Sequence, residues 1–399
     1  MVRINQQTPL GLDADLLNAC VSCGLCLPHC PTYRVTEEES ASPRGRITMM
    51  RAVESGSLAV DDEFVMFMER CVMCRGCETA CPSGVHFGAL MEGTRDALAE
   101  QGRLQPPAWM SPSLQILGHH RLLLVGSSLL GVAQRLRLVP DSLRRRIGLP
   151  ARLPIRRERL RSDAGSVDVW LYTGCVMDAW QRDVHTAAAR VIRATGATVG
   201  LAARGGDCCG ALHVHAGLHA DAVGLAESVM GSMPGDAPVL VDSAGCGAQM
   251  KDYGHLLGTE TARAFSARVL DIHEWLATRL DRLPLATGAQ QRVVVQDPCH
   301  LRHVQKAHLH VRTVLAPYVD VVELSDDGRC CGAGGSYSLT QPDLANEIRA
   351  QKIAVIGATG ASIVASANPG CSMWLADGSE HIELVHPVQL VDRAIAGRT

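Results

Sequence analysis

Apolar positions follow different rhythms along the chain and divide it into zones. Beyond residue 165, short β-type runs (VDVWLY, VLV, VVVQ, SIVAS) alternate with longer stretches such as HTAAARVIRATG and LANEIRAQKIAVIGATG. The longer stretches carry apolar residues at helical spacing and stop at glycine. Strands alternating with helices predict a mostly parallel sheet. Residues 1–100 show helical rhythm instead. Asp13 or Asp15 is placed to cap one short helix, and Asp61 or Asp62 a second that carries Phe64, Val65, Phe67 and Met68. Residues 101–165 are rich in Pro and Arg and predict a partly helical linker. Their longest uncharged stretch, Leu122 to Gln134, is closed by Arg121 and Arg135. It is too short to span a bilayer, which takes about 20 residues.

The α/β zone is a duplication. Cys299 lies 124 residues after Cys175, Cys330 lies 122 after Cys208, and Cys371 lies 125 after Cys246. The contexts match as well: VDVWLYTGC with VVVQDPC, DCCGA with RCCGA, and VLVDSAGC with SIVASANPGC. The zones are therefore 1–100, 101–165, 166–285 and 286–399. Each cysteine of the repeats falls in a loop after a strand, where α/β sheets build their sites.

At 399 residues the chain is too long for one core. Its net charge of −3 hides an imbalance. Residues 101–165 hold 12 Arg against Asp141, Glu158 and Asp163, a local balance of +9. Such a block predicts an acidic partner or an anionic membrane surface, with Leu122–Leu130 as a short interfacial helix and Arg144, Arg145 and Arg146 as its charge. The N-terminus, MVRINQQTPLGLDADLLNAC, shows no apolar signal-peptide core. The expected location is cytoplasmic, peripheral to the inner face of the cell membrane.

All sixteen cysteines fall into four sets of four. Cys20, Cys23, Cys26 and Cys30, followed by Pro31, form a complete C-x2-C-x2-C-x3-C-P run, and so do Cys71, Cys74, Cys77 and Cys81 with Pro82. Three cysteines at this spacing wrap three corners of a cubane, and the fourth ligates the other cluster of a pair. The expectation is two [4Fe–4S] clusters, one on Cys20, Cys23, Cys26 and Cys81, the other on Cys71, Cys74, Cys77 and Cys30. Forty residues, Pro31 to Arg70, separate the motifs, which favours an α-helical ferredoxin domain over a compact hairpin. Pro43-Arg44-Gly45-Arg46-Ile47 reads either as a charge-compensating segment or as the turn that starts helix Ile47–Val53. His29 and His86 are not needed as ligands. The repeats hold the other two sets: Cys175, Cys208, Cys209 and Cys246, then Cys299, Cys330, Cys331 and Cys371. Four thiolates suit a further iron–sulfur cluster or a tetrahedral zinc in one or both units. Gly210 and Gly332 are placed to make the irregular turn that adjacent cysteines require. His213, His215, His300 and His303 lie close enough to substitute as ligands.

Paired cluster motifs, then PRGRI, then two C…CCG…GC units resemble the iron–sulfur subunit of glycolate oxidase. The lactate and anaerobic glycerol-3-phosphate dehydrogenase iron–sulfur subunits look similar, and the duplicated half resembles the cysteine-rich (CCG) domains of heterodisulfide reductase. The resemblance implies a multidomain α and α/β protein, with a helical ferredoxin-type domain followed by two homologous α/β CCG domains. It implies an electron-transfer subunit of a 2-hydroxyacid dehydrogenase acting on glycolate or D-lactate. FAD and the catalytic site would lie on a flavin-binding partner subunit, and quinone would be the acceptor. Heterodisulfide-reductase patterns carry a fifth cysteine in each unit. Gln249 and Trp374 stand in those positions here, so a five-thiolate cluster and direct disulfide reduction are not expected. No phosphate loop, dinucleotide fingerprint or nucleic-acid motif occurs. The glycines around Gly332, Gly334 and Gly335 read as a cluster-binding turn, not a dinucleotide loop. A chain that carries electrons but has no hydride-handling cofactor needs a partner that has one.

Overall fold

The computed structural model describes residues 8–104, 107–146, 148–203, 205–286, 290–379 and 381–397. Helices and loops build the N-terminal part. Asp13 caps helix Ala14–Asn18 by accepting from the Asp15 and Leu16 N–H groups, and Asp61 caps Asp62–Glu69 by accepting from Phe64 N–H. The PRGRI segment opens a helix four residues earlier than expected, Pro43–Glu54, because Ser42 caps it and Pro43 occupies its first turn. These helices and Phe87–Glu100 enclose a core of Ile47, Met50, Phe64, Met68, Phe87, Leu90, Met91 and Leu98.

Two four-stranded parallel sheets follow. In the first, β1 (Val169–Tyr172), β2 (Val199–Leu201), β3 (Val239–Val241) and β4 (Val269–Asp271) lie in the order β2-β1-β3-β4. In the second, β5 (Arg292–Gln296), β6 (Asp320–Val322), β7 (Ile363–Ser366) and β8 (Glu383–Val385) lie in the order β6-β5-β7-β8. Both sheets are parallel throughout, so the repeat seen in the sequence is a repeat of topology. The central strands are buried, as strands covered by helices on both faces must be.

The two units share one core. Helix Arg182–Ala194, which follows β1, packs on Pro387–Ile395, which follows β8; His308–Leu315, which follows β5, packs on Ile272–Ala277, which follows β4. Each pairing joins the helix after one unit's first strand to the helix after the other unit's last. The units are therefore related by a pseudo-two-fold. Val169, Leu171, Val191, Ile192, Trp275, Val293, Val314 and Val391 are buried together along this seam, and Arg190 donates twice to Asp392 across it, at 2.8 and 2.6 Å. The symmetry turns the carboxyl ends of both sheets toward the same space.

Candidate metal centres

The two N-terminal cysteine loops have the same backbone. Ser22 and Gly24 in the first, and Met73 and Arg75 in the second, adopt positive φ near 58–84°. Left-handed residues on both sides of the middle cysteine curl the loop so that successive thiols can converge. Three of the four are not glycine, a conformation that costs about 1 kcal/mol or more and persists only where the surroundings impose it. Cys30 ends the first run at the head of helix Pro31–Thr36, with Pro31 in its first turn.

Cys20, Cys23, Cys26 and Cys81 line one hollow at the protein surface, together with Cys77 of the other expected set and Pro43, Arg44 and Pro82. Cys23 is exposed, and Val21 and Leu25 beside it are 69% and 57% exposed. Cys30, Cys71 and Cys77 are buried, and Cys74 is half-buried. Burial, and then the neighbouring Cys71 and Cys30, push the Cys77 thiol well up.

Both readings of the PRGRI arginines hold in part. Arg44 pairs with Glu39 at 2.7 Å and donates to Ser22 O at the rim of the surface hollow. Arg46 is fully buried and donates to Phe67 O, Ala41 O and Thr32 Oγ1, while Thr32 Oγ1 lies 3.2 Å from Cys30 Sγ. Sequence reasoning missed Arg95. It is buried, donates to the carbonyls of Met68, Glu69 and Cys71, and reaches across to His215 O at 2.9 Å. Two buried guanidiniums thus flank the inner cysteine set.

In the repeats all eight cysteines border a single cavity of about 300 Å³, floored by both sets of strand ends. Gly210 and Gly332, at φ 81° and 87°, supply the turns after the paired cysteines. In the first unit a hydrogen bond between Cys175 and Cys208 pushes the former up and the latter down to about 5, with His213 also bonding Cys208. Cys209 and Cys246 split the same way. In the second unit Cys331 is pushed up to about 12 by its bond to Cys330, and its sulfur is 3.1 Å from that of Cys371. Four buried thiols cannot ionise together without bound cations. None of the sixteen is in a disulfide. Among the described residues no three His, Cys, Asp or Glu side chains close around a single ion. Thiols gathered around the surface hollow and around the repeat cavity are the donor chemistry of iron–sulfur clusters.

The two ends of the molecule meet at the inner set. Val72, Cys74, Cys299, Cys330, Tyr337 and Trp374 pack together. His303 bonds Thr79 Oγ1 at 2.8 Å and Gly328 O at 3.3 Å, tying the second repeat to the N-terminal part. His215 and His300 lie with ring centres 5.6 Å apart, tilted by 36°, and burial lowers their pKa values to about 3 and 4. These histidines join the units together. Of the two residues standing where a fifth cysteine would be, Gln249 is buried, and Trp374 lines the cavity under the Arg349 guanidinium, 3.9 Å from its ring. The four sets form a sequence in space: a surface set, the buried inner set, the second repeat's set, and across the cavity the first repeat's set.

Comparison with known proteins points to the same iron–sulfur chemistry. A family model described as a 4Fe–4S dicluster domain matches residues 16–85, and one described as a cysteine-rich domain matches residues 169–251 and 293–376. The probable glycolate oxidase iron–sulfur subunit of Bacillus subtilis is 31% identical, covering 96% of this chain and 93% of its own length. The glycolate oxidase iron–sulfur subunit of Escherichia coli is 30% identical, covering 98% and 97%. The dihydromethanophenazine:CoB–CoM heterodisulfide reductase of Methanosarcina mazei has a subunit that is 26% identical, covering 95% and 93%.

Proposed function

Since the chain belongs to the family of glycolate oxidase iron–sulfur subunits, we propose that it carries electrons from a flavin-binding 2-hydroxyacid dehydrogenase subunit, with glycolate as substrate, toward a quinone. The observation that carries this reading is the spatial order of the four cysteine sets, from an exposed end to an enclosed one. Iron–sulfur clusters, when bound, supply one-electron transfer. Cys20, Cys23, Cys26 and Cys81 would hold the first, Cys71, Cys74, Cys77 and Cys30 the second, and the two repeat sets one each.

The protein's own residues support each part. The surface set, with Cys23, Val21 and Leu25 exposed, offers the partner flavin an approach. Arg46 and Arg95 place positive charge by the inner set, which favours its reduced, more negative state. A second cavity, about 200 Å³, borders Cys71 and is lined by Glu69, Arg95, His215, Tyr337 and Met110. Arg95 Nε, His215 Nδ1 and Tyr337 Oη, on three of the lining residues, are buried with no hydrogen-bond partner among the described residues. Polar side chains around a cavity beside an electron-carrying site suit a quinone head group.

The test is reconstitution. The anaerobically purified chain alone should not oxidise glycolate, and adding the flavoprotein subunit should restore glycolate-dependent reduction of its iron–sulfur signals in EPR. Glycolate oxidation by the isolated chain would overturn the division of labour. Iron analysis reads the occupancy: about sixteen per chain for four filled sets, about eight if the repeats are empty.

A further inference from the structure

Of the helix pair between the N-terminal part and the repeats, the first helix buries Met110 and Leu114 in the ordinary way, whereas the second shows much of its apolar surface to solvent. Helix His120–Arg135 turns Leu123 and several polar and small residues toward the protein. Ser127 Oγ accepts from Trp180 Nε1 at 2.9 Å, and Ser128 Oγ accepts from Arg157 Nη1 at 2.8 Å. Gln134 donates to Pro150 O and accepts from Leu153 N–H, and Gly131 lies against Leu153. The opposite face carries Leu122, Val125, Leu129, Val132 and Leu136 at spacings of three and four, 58%, 59%, 67%, 39% and 64% exposed. Trp109 and Ile116, also exposed, extend this surface along the preceding helix, Met110–Leu117. A helix that spends its hydrogen-bonding groups inward and shows an aliphatic stripe outward is shaped for an apolar neighbour.

We propose that this face docks the protein flat on the surface of an anionic lipid bilayer. Charge selects that occupant. Arg121 and Arg137 are exposed at the two ends of this helix, Arg135 is exposed with Nη1 donating to Gly131 O and Leu153 O, and Arg145 is exposed on the following helix; none of the four meets a carboxylate among the described residues. An aliphatic stripe with exposed arginines that meet no carboxylate, and with a tryptophan on the preceding segment, matches the boundary between acyl chains and anionic headgroups. The two helices meet at 110°, so they cannot stand together as one spanning rod, and neither alone is long and apolar enough to cross. Arg144, part of the expected basic cluster, is not available: it is buried and bound to Asp141, Asp377 and Leu149 O. The side chain of Arg146 lies outside the described residues.

The placement serves the electron-transfer reading, on which this further point rests. Arg145 and Leu149 from the same segment border the eight-thiol cavity, and Met110 borders the cavity beside Cys71. A lipid-soluble acceptor would reach either from the membrane side. Docking itself does not depend on which acceptor is used.

The test is sedimentation of the full chain, purified with its clusters, with vesicles of phosphatidylcholine alone or mixed with phosphatidylglycerol. The wild type should bind the anionic vesicles, and less so at high salt. Val125→Glu with Leu129→Glu should lower binding at least about tenfold, and Arg121→Gln with Arg137→Gln about fivefold for each arginine removed. All four side chains are exposed, so cluster absorbance and melting should be unchanged; Val125→Ser with Leu129→Ser is a milder pair with the same expected direction. Absence of wild-type binding, or binding by the glutamate and serine pairs that equals the wild type's, overturns the proposal. So does a dimer or a flavoprotein complex that the glutamate pair abolishes while vesicle binding persists, since that would put a protein on this face. Failure of the glycolate reconstitution would leave this outcome untouched, which separates the two readings.

Discussion

Arg95 shows how a single side chain can join two parts of the molecule. Its guanidinium satisfies three carbonyls in the loop leading to Cys71 and one in the first repeat, 120 residues away. Buried, multiply bonded cations are expensive to remove, because their acceptors are left unpaired. Arg95→Gln should destabilise the protein by about 3 kcal/mol, read in urea unfolding. It should also shift the reduction potential of one N-terminal cluster to a more negative value, read by EPR-monitored titration. Loss of stability with an unchanged potential would mean that Arg95 only braces the fold. Arg95 could not be found by reading along the chain, since its acceptors are separated from it by 24 to 120 positions. The cysteines could, because ligand spacing in C-x2-C-x2-C is a local property. Arg46 lay between: the PRGRI segment marked it, but its burial under Thr32 and Phe67 depends on the packing of three helices.

Among the elements, the sequence revealed the central strands and the long helices and passed over the edges. β1, β3, β5 and β7 were legible as β-branched runs ending at cysteine. β2, β4, β6 and β8 have three residues each, as β3 does, but no run ending at a cysteine marks them, and each pairs with a central strand on one side. The linker helix was legible as apolar and bounded by arginines, but not its orientation. Its stripe would ordinarily be assigned to a core, and hydrogen bonds from Trp180, Arg157 and Leu153 decide otherwise. Gly131 is the close-approach point, where an added Cβ would come within 3.0 Å of Leu153 O. Gly131→Val should cost about 1–3 kcal/mol by forcing the helix off the repeat, seen as a lower melting temperature. An unchanged melting temperature would mean that the helix can shift away without loss.

At the scale of the whole molecule, the pseudo-two-fold seam carries a buried titratable cluster. His185 Nδ1 lies 2.7 Å from Asp242 Oδ2, His386 Nε2 donates to Asp242 O at 2.9 Å, and His273, paired with Asp271, stacks on His386. Burial, and then His273, hold His386 down to about 4. A histidine neutral in the fold and protonated when unfolded makes stability fall as pH drops from about 6.5 toward 4. From this group alone the loss between pH 7 and 5 is about 2 kcal/mol. His185 opposes it: burial lowers its pKa, but Asp242 outweighs burial and raises it, so its contribution is present at low pH and fades as pH rises through its folded value. Denaturant midpoints at pH 7 and 5 should therefore fall toward acid in the wild type and converge in His386→Asn, which keeps an acceptor at the cap of Pro387–Ile395. Equal pH dependence in both proteins would place the acid sensitivity elsewhere.

By itself the sequence determined the four groups of four cysteines, the duplication, the alternation that makes each repeat an open parallel sheet, and the excess of arginine in the linker. These depend on residues close in the chain or on copies at a fixed offset. Only the tertiary structure decided that the two repeats face each other across one cavity, that the inner cysteine set abuts the second repeat, and that the linker helix leaves Leu122, Val125 and Leu129 exposed. Those facts follow from which helix packs on which and where buried hydrogen bonds are satisfied. Such contacts join residues far apart in the chain, and no local pattern encodes them.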